Sequence, residues 1–286
     1  MPVPRFPEER EAKHEDGFLR AKDGVRLYWQ RYTPERPRAS VAVLPGGGDH
    51  SGRYPGLTAA LVRAGFAVDL LDFRGHGRAD GRRWHIGAFD EYLGDVDTFM
   101  AHVRARAFDR KVFVVGHSQG GLVAALWGLQ HEAAGFVLSS PYFRLKFTPP
   151  RLKILVARAI GTVVPWLPIS TELKVQDLTT DEDHQRWTDA DPLYGRRTTP
   201  RWFVESQRAQ ADIVRRAREF THPLLILSGS ADPIADPAAM RAFFDVAASK
   251  DKAFQVYEGF RHELFNERER DRAIGDAVGF IAARSG

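Results

Sequence analysis

Gly116-His117-Ser118-Gln119-Gly120 stands directly after the apolar run Val112 to Val115 and before a Leu122-rich stretch. Ser118 is therefore expected at a sharp turn from a strand into a helix, where glycines at 116 and 120 remove side chains that the turn would crowd. A hydroxyl displayed in this way can attack a carbonyl carbon, and the following helix offers its electropositive amino end to an oxyanion. Serine is a weak nucleophile at neutral pH, so the chain must also supply a base and a group that orients it. His262, in Gly259-Phe260-Arg261-His262-Glu263, and Asp232, in Ser228-Gly229-Ser230-Ala231-Asp232, each lie just beyond an apolar run. Asp236, four residues later, is the rival acid; its place before a helix equally suits an N-cap.

A second set of oxyanion donors is expected in the loop Pro45-Gly46-Gly47-Gly48. The backbone N–H groups of Gly47 and Gln119 would together form the oxyanion hole. The same glycines, followed by Asp69 and Asp72, partly imitate a dinucleotide-binding turn. The count fails, because Ser51 occupies the third glycine position of the GxGxxG pattern. His50 and His76 lie in loops at the same sheet edge and are candidates for the substrate entrance, whereas His117 is expected to point away from the nucleophile. Asp49, His50, Asp72 and His76 have no recognised metal-ligand spacing, and neither a metal nor an organic cofactor is expected.

These residues need a scaffold that brings loop ends together. Strands are expected at residues 17–21 and 25–32 around the Asp23-Gly24 turn, then at 41–44, 66–71, 112–115, 136–138, 224–227 and 253–257. Helices are expected at 54–64, 89–106, 119–130, 237–247 and 269–283. Apolar strands alternating with amphipathic helices indicate an α/β fold with a mostly parallel sheet covered on both faces. Ligands of such sheets bind beyond the carboxyl ends of the strands, where 47, 118, 232 and 262 all fall.

Residues 142–219 interrupt the alternation and are too long for a structureless loop. They are expected to fold as a lid or cap on a core made of residues 1–141 and 220–286. Arg144 to Arg158 holds five bases and no acids, and Glu172 to Asp191 holds seven acids. Beside the bases lies an apolar series that includes Phe143, Leu145, Phe147, Ile154, Leu155, Ile160, Val163, Val164, Trp166 and Leu167. These groups either pack the cap onto the core or line a lipid tunnel and touch a membrane surface.

Composition narrows the class. With 43% hydrophobic and 27% charged residues and a mean hydropathy of −0.35, the chain is neither mostly disordered nor a polytopic membrane protein. The absence of cysteine removes disulfides, thiolate zinc sites and cysteine nucleophiles together. The longest stretch free of charged residues, 112–131, has the polar centre GHSQGG and reads as strand, turn and helix. A net charge of +4 is spread among nearly as many acids, and no base-reading motif accompanies it, so nucleic acid is not an expected partner. The opening residues lack an apolar signal segment, and a cytoplasmic location is expected.

From residue 17 to the final helix the chain resembles the monoacylglycerol lipase and lysophospholipase group of α/β-hydrolases, classed near the serine aminopeptidase-like hydrolases. The resemblance is carried by Pro45-Gly46-Gly47-Gly48-Asp49-His50-Ser51-Gly52-Arg53-Tyr54, Asp72-Phe73-Arg74-Gly75-His76-Gly77, the serine elbow, residues 228–232 and His262-Glu263-Leu264-Phe265-Asn266-Glu267. It implies an α/β-hydrolase fold with an inserted helical lid, and Ser118, Asp232 and His262 as a triad in the order common to that superfamily. It further implies Gly47 and Gln119 as oxyanion donors, with residues 72–77 supporting the loop that carries the hole. The expected function is hydrolysis of a carboxylic ester, a monoacylglycerol or related single-acyl lipid, with lysophospholipids and small esters as alternatives and peripheral membrane contact through the lid. A ligand-binding protein without catalysis is the alternative from another class. Three positions depart from the group: Pro45 replaces a common His, Gln119 a common Met, and Ala79 a common Ser.

Overall fold

The computed structural model describes residues 4–8, 10–107, 111–147, 163–171 and 173–286. Among them, strands β1 (Lys13–Arg20), β2 (Arg26–Thr33), β3 (Ala39–Leu44), β4 (Phe66–Asp72), β5 (Val112–His117) and β6 (Gly135–Ser139) precede the inserted segment. Helices α1 (Pro55–Arg63), α2 (Asp90–Ala105) and α3 (Gln119–Gly128) connect them. The insertion contributes a small antiparallel pair, β7 (Ile169–Ser170) and β8 (Arg197–Thr198), and helices α4 (Val175–Leu178), α5 (Glu182–Ala190) and α6 (Pro200–Arg216). Strand β9 (Leu224–Gly229), helix α7 (Pro237–Val246), strand β10 (Lys252–Tyr257) and helix α8 (Arg270–Ser285) complete the core.

The main sheet has eight strands in the order β1-β2-β4-β3-β5-β6-β9-β10. The β1/β2 and β2/β4 pairs are antiparallel and the remaining pairs are parallel. Strands β3 to β6 are buried at every position, as sheets sandwiched between helices require. Alternation then sorts their side chains. Ala42, Leu44, Val112 and Val114 face a core shared with Phe99 of α2, Leu122 of α3 and Phe243 of α7. Val41, Val43, Phe113 and Val115 face the opposite core, with Leu57 of α1 and Ile274 and Phe280 of α8.

The elements fall close to their expected positions, with one extension. β1 begins at Lys13, four residues earlier than its apolar pattern suggests, because its first half is a largely exposed polar edge held to β2 by backbone pairing, by the Tyr28 hydroxyl donating to Asp16 at 2.7 Å and by His14 stacking on Tyr32. Asp69 carries no ligand role: it is buried with Arg31, Nη1 to Oδ2 at 2.9 Å, between β2 and β4. The insertion is not purely helical, since β7 and β8 pair within it. Helix α6 buries Trp202, Glu205, Ser206, Ala209 and Ile213, a stripe at helical spacing. Ala209 and Ile213 join the same cluster as Leu122 and Phe243, so α6 packs directly on the core. Ile154, Leu155, Ile160 and the bases Arg151, Lys153 and Arg158 lie outside the described residues. Among the described residues, no helix is long and apolar enough to cross a membrane.

Candidate active site

Parallel β3, β5, β9 and β10 all deliver their carboxyl ends to one edge, and the loops leaving that edge hold the candidate groups. At the end of β5, Ser118 adopts φ 50° and ψ −115°, a strained conformation for a residue with a Cβ. Glycine is required around it: a Cβ at 120 would run into the Leu44 carbonyl, and one at 116 would meet the Gly120 carbonyl oxygen at 2.5 Å. The turn is held by Ser118 N–H donating to the Ser139 carbonyl and by Tyr142 N–H donating to the Ser118 carbonyl.

The structure brings Ser118, His262 and Asp232 into one chain of hydrogen bonds. Ser118 Oγ lies 2.8 Å from His262 Nε2, and His262 Nδ1 lies 2.9 Å from Asp232 Oδ2. The second oxygen of Asp232 accepts the N–H groups of Ile234 and Ala235 at 2.8 and 3.0 Å. Burial opposes the Asp232 charge, but His262 and these donors outweigh it and hold the carboxyl below its ordinary range. For His262, burial disfavours the imidazolium, yet the Asp232 carboxylate and its hydrogen bond raise the pKa above the usual 6.5. Asp236 is elsewhere. Its carboxylate caps α7 by accepting Ala238 N–H at 2.9 Å and pairs with Arg144 at 2.6 Å.

Gly46 N–H donates to the Tyr54 hydroxyl, while Gln119 is the first residue of α3, where helical geometry leaves an N–H without an intrahelical partner. The loop that carries Gly47 is braced by Asp72, whose oxygens accept the N–H groups of Ser51 and Arg78. That is the supporting role expected of residues 72–77.

The histidines differ from expectation. His117 does not turn away from the site; its ring packs 4.9 Å from that of His262, and burial together with the neighbouring His262 pushes its pKa down to about 3. His76 is buried against Trp84 and Tyr92 and does not line an entrance. His50 is also buried, with Nε2 2.8 Å from Asp191 of the insertion. Among the described residues, no group of three or more metal-ligating side chains is placed to hold an ion.

Residues 35–269 match the family described as serine aminopeptidase, S33. Phospholipase YtpA of Bacillus subtilis is 32% identical over 250 residues, 86% of this chain and 96% of that protein. A monoacylglycerol lipase of Mycolicibacterium smegmatis is 29% identical, over 91% of this chain and 94% of that one. The crystal structure of Paleococcus ferrophilus monoacylglycerol lipase superposes with a TM-score of 0.83 at 28% identity, covering 90% of this chain and 99% of that one. This chain belongs to the serine aminopeptidase S33 family.

In this S33 hydrolase a buried ionic network lies directly beside the serine and histidine. Arg53 is fully buried; it reaches Glu263 at 2.9 Å, Asp49 at 2.8 Å, Thr188 at 2.9 Å and His184 at 3.2 Å. Burial pushes the Glu263 carboxyl up, but Arg53 and His184 overcome it and hold the carboxyl well below its ordinary value. Because Glu263 adjoins His262, Asp49 adjoins the glycine loop and His184 belongs to α5, one guanidinium ties three segments together. Removing a partner from such a cluster strands the rest as buried charge. Arg53 and Glu263 sit inside the recognised motifs without a chemical role readable from their type. His184, Trp84 and Trp202 carry no spacing signal at all, since only the fold brings them to the site.

Proposed function

We propose that this α/β-hydrolase cleaves carboxylic esters of single-acyl lipids, monoacylglycerols foremost, through an acyl-Ser118 intermediate. The observation that carries this reading is the unbroken Ser118-His262-Asp232 chain at the carboxyl edge of the sheet. His262 Nε2 takes the Ser118 proton as Oγ attacks the ester carbonyl carbon, and the oxyanion is received by the N–H groups of Gly47 and Gln119. Asp232 holds the ring in the required tautomer and balances the imidazolium charge. The tetrahedral adduct collapses as His262 gives its proton to the leaving alcohol. Water then attacks the acyl-serine with His262 again as base, freeing the acid and restoring Ser118. Relatives named for monoacylglycerol direct the choice of substrate, and the relative named a phospholipase supports lysophospholipid as the second reading.

Residues 142–219 serve in this reading as a lid over the acyl chain. Phe147, Val163, Trp166 and Leu167 expose 53%, 74%, 46% and 42% of their surfaces beside the segment 148–162, which suits peripheral contact with a lipid surface.

The pH dependence follows from His262. Only its neutral form accepts the serine proton, so kcat/KM rises with pH along a limb centred at the free-enzyme pKa. Since that pKa is raised, the limb is expected above 6.5, and Asp232→Asn should move it to lower pH by removing the charge that raises it. A wild-type limb at or below 6.5 would contradict this electrostatic assignment.

Acyl length tests the substrate. Each methylene buried in an apolar channel contributes about 0.8 kcal/mol, so three can change kcat/KM by roughly tenfold or more. Comparing p-nitrophenyl acetate, butyrate, octanoate and laurate below their aggregation limits, octanoate is expected to exceed acetate by at least about tenfold. Turnover of a monoacylglycerol is expected as well. A steep decline beyond butyrate with no lipid turnover would make this a small-ester hydrolase.

A further inference from the structure

The residue after the nucleophile has a side chain whose contacts its backbone role does not explain. Gln119 is buried at the start of α3, and its Oε1 accepts the indole N–H of Trp202 at 2.9 Å. Trp202 belongs to the first turn of α6, so this hydrogen bond runs from the insertion to the helix start that carries one of the two oxyanion donors.

The other donor is reached from the same indole. Trp202 packs edge-on against Trp84, with ring centroids 5.1 Å apart, and Trp84 lies directly on the Gly47-Gly48 turn. A Cβ at Gly47 would stand 2.6 Å from the Trp84 ring and 3.0 Å from Gln119 Oε1; one at Gly48 would stand 2.7 Å from Trp84. Trp84 itself is held at φ 45°, a conformation that persists only where surroundings enforce it. Its N–H donates to the Gly75 carbonyl at 3.1 Å, and its carbonyl accepts the Thr199 hydroxyl at 3.4 Å. Thr199 is the N-cap of α6 and also accepts Trp202 N–H at 3.3 Å. A second strut comes from Gly195, whose N–H donates to the Gly48 carbonyl at 2.6 Å.

We propose that Trp202 and the Gln119 side chain are positioning residues that fix the separation of the Gly47 and Gln119 N–H groups, making the start of α6 part of the oxyanion hole's frame. The proposal rests on the reading of those two N–H groups as the oxyanion donors. A roof over the acyl chain would act on substrate tails. A frame for the hole acts on the tetrahedral adduct, whatever the tail, because the donors meet full charge only there.

The test is a double-mutant cycle with Trp202→Phe, which keeps an aromatic ring but removes the N–H donor, and Gln119→Met, which keeps an unbranched side chain but removes the acceptor. Each single variant is expected to lose about tenfold in kcat, the scale of a small displacement of catalytic groups, with KM unchanged. The factor should be equal for acetate, butyrate and octanoate esters. Affinity for an alkyl boronic acid, which forms a tetrahedral adduct on the serine, should fall by the same factor as kcat/KM. The double variant should lose no more than either single, since both remove one bond. Folded variants within twofold of wild type would overturn the proposal. So would losses confined to KM for long-chain esters, or losses that multiply in the double variant. Wild-type turnover retained by Ser118→Ala would instead overturn the underlying hydrolase reading. Loss of turnover in Ser118→Ala with no effect at 202 or 119 would remove this inference alone.

Discussion

Ser118→Ala is expected to lower ester turnover on the order of 10⁶-fold while leaving the protein folded. The substitution removes Oγ, the only atom of the residue placed 2.8 Å from His262 Nε2. Alanine retains the Cβ, so the backbone at φ 50° neither gains nor loses room. The cost to stability is one hydrogen bond, about 1 kcal/mol, which a thermal melt can set apart from the kinetic effect. Residual hydrolysis would come from binding and the oxyanion donors alone. A folded alanine variant with turnover near wild type would remove Ser118 from the chemistry.

Asp232→Asn is expected to cost roughly 10⁴ in kcat, because an amide facing His262 Nδ1 favours the wrong tautomer and carries no charge to balance the imidazolium. Asparagine can still accept the Ile234 and Ala235 N–H groups through its carbonyl oxygen, so the local turn should survive. Asp236→Asn provides the contrast. Asparagine is an equally good N-cap, and the lost ion pair involves an Arg144 side chain that is 60% exposed, worth at most about 1 kcal/mol. Turnover of Asp236→Asn should stay within severalfold of wild type. The reverse pattern, with Asp236→Asn inactive and Asp232→Asn active, would move the orienting role to Asp236.

The serine elbow, the two later loops and the strand-helix alternation were legible because each is local. Glycines flank a polar centre, apolar runs end at candidate groups, and a period of two gives way to one of 3.6. Choosing between Asp232 and Asp236 was not a local question, since both are acids beyond the same strand; the approach of His262 from beyond β10 distinguishes them. The start of β1 escaped a hydrophobic reading because Lys13 to Asp16 hold an exposed edge. His117 was misplaced in expectation because the elbow directs only Ser118, while the neighbouring ring is drawn against His262 by packing. Trp202 and His184 are separated from the motifs by tens of residues, Trp84 follows Gly77 by seven, and none of the three carries a spacing of its own. Their part depends on how the insertion settles on the glycine loop, and that is a tertiary fact.

The most direct test of Ser118 as the nucleophile is covalent labelling with a serine-directed fluorophosphonate, followed by peptide mass mapping of the intact, active protein. The expected result is a single modified site at Ser118, loss of ester turnover in proportion to labelling, and no labelling of Ser118→Ala. Complete inhibition with the phosphonate on another residue, or undiminished turnover with Ser118 fully labelled, would contradict acyl transfer through Ser118.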